Sequence, residues 1–124
     1  MPRTLKSLKT PLRYPGGKSR AVPKLLQYLP NLFQVKEFRE PFLGGGSVAL
    51  EITKRYPHID VWVNDLYEPL YNFWCELQHN GQELQDALLG IKTIYCNPDA
   101  ARCLFTSSKE QINDSDLSNF DRAV

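Results

Sequence analysis

None of the three cysteines, Cys75, Cys96 and Cys103, stands in a Cys-x-x-Cys pair. That excludes the usual zinc-ribbon and dithiol redox patterns. An odd cysteine count without a secretory leader reads as reduced, packing thiols of a cytoplasmic protein. The two histidines, His58 and His79, are isolated, so neither a catalytic dyad nor a metal site is expected. No uninterrupted apolar run approaches the ~20 residues of a membrane span. The N-terminal MPRTLKSLKTPLRYP lacks the apolar centre of a signal peptide. Acid is missing from the start of the chain altogether. Residues 1–36 carry eight Lys or Arg and no Asp or Glu, whereas the remainder carries seven basic and fourteen acidic residues, so the net charge of +1 hides a strong asymmetry. A basic segment suits a polyanion such as nucleic acid; a solvated tail would show the same charge.

What is present is an ordinary globular composition, 42% apolar and 23% charged over 124 residues, which suits one domain or part of one. After an irregular arm, Ser19 to Leu29 reads as a helix with Val22, Leu25, Leu26 and Leu29 on one face and Pro30 as its stop. Glu37 to Phe42 reads as a strand that runs into Gly44-Gly45-Gly46. Ser47 to Tyr56 reads as a helix closed by Pro57. Ile59 to Asn64 alternates as a second strand, with Trp62 expected to pack against a helix. Asp65 follows directly. Glu68-Pro69 opens a third helix with Leu70, Phe73, Trp74 and Leu77 inward and Gly81 at its end. Further helices are expected over Glu83–Leu89, over Pro98–Phe105 behind Asn97, and from near Ser115. This order is the beginning of an α/β parallel sheet.

Two glycine segments compete for the chemistry. In LRYPGGKSR, residues 12–20, Gly17-Lys18-Ser19 has the ending of a phosphate-binding P-loop. That motif needs a glycine at position 12, which is Leu12, and a preceding strand, which is absent. Gly44-Gly45-Gly46-Ser47-Val48-Ala49 is the better fingerprint, G-x-G-x-x-G/A between a strand and a helix. Asp65 stands 21 positions after Gly44 at the end of the next strand, where a carboxylate accepts hydrogen bonds from ribose hydroxyls. A tight turn and a surface Asp would be the plain alternative. Glu40, just before the turn, would repel a pyrophosphate and attract a cationic ligand. S-adenosylmethionine fits: a nucleoside with an ammonium and a sulfonium and no phosphate.

Arg13-Tyr14-Pro15-Gly16-Gly17-Lys18, then Glu40-Pro41-Phe42-Leu43-Gly44-Gly45-Gly46-Ser47-Val48, then Asn64-Asp65, together resemble the N-terminal half of Dam-type (D12 class) adenine-specific DNA methyltransferases. Many members carry Trp at the place of Tyr14. The ending Phe120-Asp121-Arg122-Ala123-Val124 is similar to the helix start of that family's DNA-contacting region. The resemblance implies a Rossmann-like S-adenosylmethionine-dependent fold. It implies that Tyr14 and Lys18 contact the cofactor, with the Tyr14 ring near its adenosine. It also implies that Asp65 holds the ribose, and that Gly44, Gly45 and Gly46 pass under the methionine part with Glu40, Pro41 and Phe42 beside it. The partner implied is duplex DNA; the charge asymmetry makes Arg3, Lys6, Lys9 and Arg13 the residues expected to touch its phosphates, and the complete enzyme is expected to be a monomer.

One departure matters. The family binds its methyl acceptor with Asp-Pro-Pro-Tyr or a close variant, and this sequence contains no Pro-Pro pair. No catalytic residue is therefore assigned. The expected organisation is a cofactor-binding part over residues 1–81 and the start of a helical DNA-recognition region over 82–124, both incomplete. The rival expectations are a non-catalytic remnant and a NAD-type dinucleotide module.

Overall fold

The computed structural model describes residues 9–124. They fall into two compact units, one ending at Leu66 and one beginning at Tyr67.

The first unit is a parallel β-α-β arrangement. Strand β1 (Glu37–Glu40) pairs in parallel with β2 (Asp60–Val63), Phe38 opposite Val61 and Glu40 opposite Val63. A parallel pair cannot be joined by a hairpin; helix α2 (Ser47–Arg55) makes the crossover. Pro41 ends β1, since it has no N–H to give the ladder. The pairing nevertheless extends beyond Pro41 through Asn64 N–H to Glu40 O at 3.0 Å and Leu43 N–H to Asn64 O at 2.9 Å. Helix α2 stops at Tyr56 because Pro57 pushes the preceding residue out of the helical region; Tyr56 has φ −130°. Its Lys54 and Arg55 lie in the last turn, where cations complement the carbonyl end.

The core beneath this sheet is Leu32, Ile52 and Ile59, with Leu26, Leu29, Phe38, Val48 and Val61 packed around it. Ile52 is fully buried, worth about 1.5–3 kcal/mol of hydrophobic stabilisation.

Helix α1 is shorter than its periodicity predicts, Val22–Leu26. Pro23 fits only a first turn, and Pro30 disfavours helix at Leu29. The chain between them tightens into i→i−3 bonds, Tyr28 N–H to Leu25 O at 3.0 Å and Leu29 N–H to Leu26 O at 3.3 Å. Leu25 consequently faces outward, whereas Val22 is buried. Trp62 is also a correction: it is 51% exposed and shares the open sheet face with Glu37, Arg39 and Asp60.

The second unit is all helix: α3 (Glu68–His79), α4 (Gly81–Ile94), α5 (Pro98–Gln111) and α6 (Asn119–Ala123). Gly81 does not close α3; Asn80 is the junction and Gly81 is the first residue of α4. Asn97 caps α5, its Oδ1 accepting the Asp99 N–H at 2.8 Å, and Ser118 caps α6 through the Asp121 N–H at 3.0 Å. The last helix thus begins four residues beyond Ser115. Leu84 on α4 is almost completely buried. Helix α6 docks on α3 through polar groups. The buried Asn72 donates its Nδ2 to Asn119 O at 2.7 Å, and Arg122 grips Glu68 with two bonds of 2.9 Å. Among the described residues no helix is long and apolar enough to cross a membrane.

Candidate functional site

The two glycine segments of the sequence meet in the first unit. Tyr14-Pro15-Gly16-Gly17 has the pattern of a type II turn. The Gly17 N–H bonds Tyr14 O at 2.9 Å, Pro15 occupies the second position, and Gly16 has φ +74°, which that turn demands of its third residue. The turn lays the Tyr14 ring against the glycine loop that follows β1. Gly44 has φ +53°, and a Cβ there would sit 3.2 Å from Tyr14 Cε1. Only glycine meets both conditions without strain. The loop is closed by Gly46 N–H to Leu43 O at 2.9 Å and enters α2 through Gly46 in the left-handed region.

Two carboxylates hold this loop and the helix that follows it. Asp65 Oδ2 accepts the Gly44 N–H at 2.8 Å. Glu40 Oε2 accepts the Ala49 N–H at 3.0 Å, one of the orphan donors in the first turn of α2. A side-chain anion therefore already stands where dinucleotide folds place a pyrophosphate. Burial raises the Glu40 carboxyl above its ordinary value of 4.5, against the opposing influence of the Ala49 N–H and the Lys18 ammonium. Desolvation outweighs both favourable contacts, so the carboxylate is held in a setting that would gain from an additional cation.

Between the turn and the loop lies a cleft of about 410 Å³. Tyr14, Lys18, Glu40, Phe42, Gly44, Gly45, Gly46 and Asp65 all line it. Pro41 lies outside the lining; its position is that of strand terminator. Tyr14 is 39% exposed and Phe42 85% exposed, leaving apolar surface at the rim. Lys9 and Arg13 are exposed and line neighbouring depressions. Arg3 and Lys6 lie outside the described residues. Sequence reasoning missed Ser47, whose Oγ lies 2.9 Å from Ser19 Oγ and ties α2 to the segment after the turn. Its place directly after the third glycine was the available signal.

A cleft with two carboxylates, one lysine and an aromatic rim suits a ligand that combines hydroxyls, a flat ring and positive charge. Type II methyltransferase M.MjaIII of Methanocaldococcus jannaschii is 24% identical over 91 residues, 71% of this chain and 32% of that protein; the chain spans about a third of the length of this curated relative. The family model of D12 class N6 adenine-specific DNA methyltransferases matches residues 14–122, from the cleft tyrosine to the arginine that locks α6. With the match covering most of its length, the chain belongs to the D12 class of N6 adenine-specific DNA methyltransferases.

Proposed function

We propose that this chain is the S-adenosylmethionine-binding part, with a Rossmann-like fold, of an enzyme that methylates N6 of adenine in duplex DNA. The observation that carries the reading is the Glu40 carboxylate bonded to the Ala49 N–H at 3.0 Å. It occupies the anion position of the glycine fingerprint with the protein's own negative charge. A phosphate-bearing dinucleotide would be repelled there, and an ammonium or sulfonium attracted. This disfavours the NAD-type alternative.

The residues fit the cofactor on their own chemistry. Asp65, at the end of β2, accepts hydrogen bonds from ribose hydroxyls. Glu40 neutralises positive charge on the methionine portion. Gly44 to Gly46 let that portion approach the backbone, since no side chain intervenes. Tyr14 and Phe42 offer ring surface to the adenosine, and Lys18 balances the two carboxylates. When bound, the cofactor supplies an electrophilic methyl group. The chain's task is to orient that group and shield it from water. The acceptor side of the transfer is assigned to no residue here: the sequence has no Pro-Pro pair, and a base extruded from duplex DNA needs a site that holds its amino group in line with the methyl. We infer that these 124 residues bind the cofactor without transferring the methyl group.

Calorimetric titration tests the reading. S-adenosylmethionine and its demethylated product are expected to bind with one-to-one stoichiometry and NAD not at all. Binding of NAD alone would sink it.

A further inference from the structure

The wall made by the Tyr14–Gly17 turn and the glycine loop has two sides. On the cleft side stand Glu40 and Asp65. On the outer side a groove of about 500 Å³ is lined by Thr10, Arg13, Ser19 and Arg20, and it shares Tyr14, Gly16, Gly17, Gly45 and Ser47 with the cleft. No carboxylate lines this groove. The adjoining depression brings in Lys9 and Glu51, and Glu51 is engaged by Arg55 at 2.6 Å. Among the described residues neither Arg13 nor Arg20 forms an ion pair. One thin partition thus separates acidic from basic surroundings.

The geometry points to the outer groove as a seat for a backbone phosphodiester of duplex DNA, with Arg13 and Arg20 as its cations and the Ser19 and Ser47 hydroxyls as its polar floor. The assignment rests on the DNA methyltransferase reading above, and adds to it a place and a new residue, Arg20. Arginine presents its donors in a planar fork that matches two phosphate oxygens. The two serine hydroxyls carry two protons and use one in their mutual bond. Arginine and hydroxyl side chains are the usual phosphate contacts of DNA-binding proteins, and such contacts position the duplex without reading its sequence. The groove is open and both arginines are exposed, which suits a phosphate strung along a polymer better than an enclosed small anion. The duplex would then lie against the back of the wall that the cofactor faces.

The test is duplex-DNA binding by the 124-residue chain, followed by anisotropy over a series of salt concentrations. Each phosphate contact contributes about 0.9 to the slope of log K against log salt. R13A/R20A, which removes both cations of this one phosphate seat, is therefore expected to lower the slope by about 0.9, with affinity for S-adenosylhomocysteine unchanged within twofold. The charge-matched control K36A/K54A, just before β1 and in the last turn of α2, is expected to keep the wild-type slope. An unchanged slope in R13A/R20A, an equal drop in the control, or no DNA binding by the wild type would overturn the groove. So would loss of inorganic phosphate binding in R13A/R20A with the DNA slope intact, which would mark a small-anion site. Failure of the wild type to bind S-adenosylhomocysteine, with the DNA slope still responding to R13A/R20A, would refute the cofactor reading and leave the groove standing.

Discussion

Glu40 and Ala49 are joined by a 3.0 Å hydrogen bond from the first turn of α2 to the last residue of β1. The same carboxylate lines the cleft. It therefore serves the helix and the ligand at once, and the two roles separate on substitution. Glu40→Gln keeps an oxygen for the Ala49 N–H and removes the desolvated charge. Stability at neutral pH is expected to hold or rise, while S-adenosylhomocysteine affinity falls about tenfold or more, since hydrogen bonds to charged groups are worth about 1.5–3 kcal/mol. Thermal melts and calorimetry on one preparation check both arms.

The pH dependence follows from the direction of the Glu40 shift. Below the ordinary carboxylate value of 4.5 the group is protonated in folded and unfolded chains alike. Between that value and its raised folded value, the folded chain holds the proton longer. Stability therefore declines as pH rises through this window. The difference in denaturant midpoint between wild type and Glu40→Gln should grow in favour of the variant from pH 4.5 upward and then level off. A difference independent of pH would refute the burial argument.

Gly44 bears two constraints, a backbone and a neighbour. Gly44→Ala meets a left-handed φ of +53° and places a Cβ 3.2 Å from the Tyr14 ring. The backbone part alone costs roughly 1–2 kcal/mol. In a Tyr14→Ala background the contact part vanishes and the backbone part remains, so the cost of Gly44→Ala should shrink but not disappear. A double-mutant cycle by urea unfolding reads this coupling; zero coupling would show that the ring does not press on the loop.

In the helical unit the buried amide should outweigh the visible ion pair. Glu68 is 57% exposed at its side chain, although Arg122 is only 13% exposed; Glu68→Gln keeps a hydrogen-bond acceptor for the guanidinium and gives up a charge that water screens, about 0–1 kcal/mol. Asn72 is 4% exposed and bonds Asn119 O at 2.7 Å; deleting a buried partner costs about 1–3 kcal/mol. Asn72→Ala is thus expected to destabilise more than Glu68→Gln in chemical denaturation.

The glycine loop and the acid after β2 were legible in the sequence because each is local chemistry at fixed offsets. The direction of Glu40 was not, since alternation says which residues share a face and not what covers it. Trp62 fails for the same reason: its face of the sheet is the open one. Helix α5 runs to Gln111, past the expected Phe105, and buries no residue, so no apolar stripe was there to mark its length. The bond from Asp65 to the Gly44 N–H is a tertiary fact; only the spacing hinted that the two would meet.

Among the described residues the core of the first unit begins at Val22: Val22 is buried, and Leu32, Ile52 and Ile59 are packed by residues from Leu26 onward. The Tyr14–Gly17 turn, by contrast, exists to wall a cleft and a groove. One wall of the cleft is thus written apart from the folding core, whereas Glu40, the glycine loop and Asp65 belong to the β-α-β body itself. A protease cut after Lys18 is expected to leave a β-α-β body that still folds, with the cleft and the groove each short of one wall and both proposed ligands held more weakly.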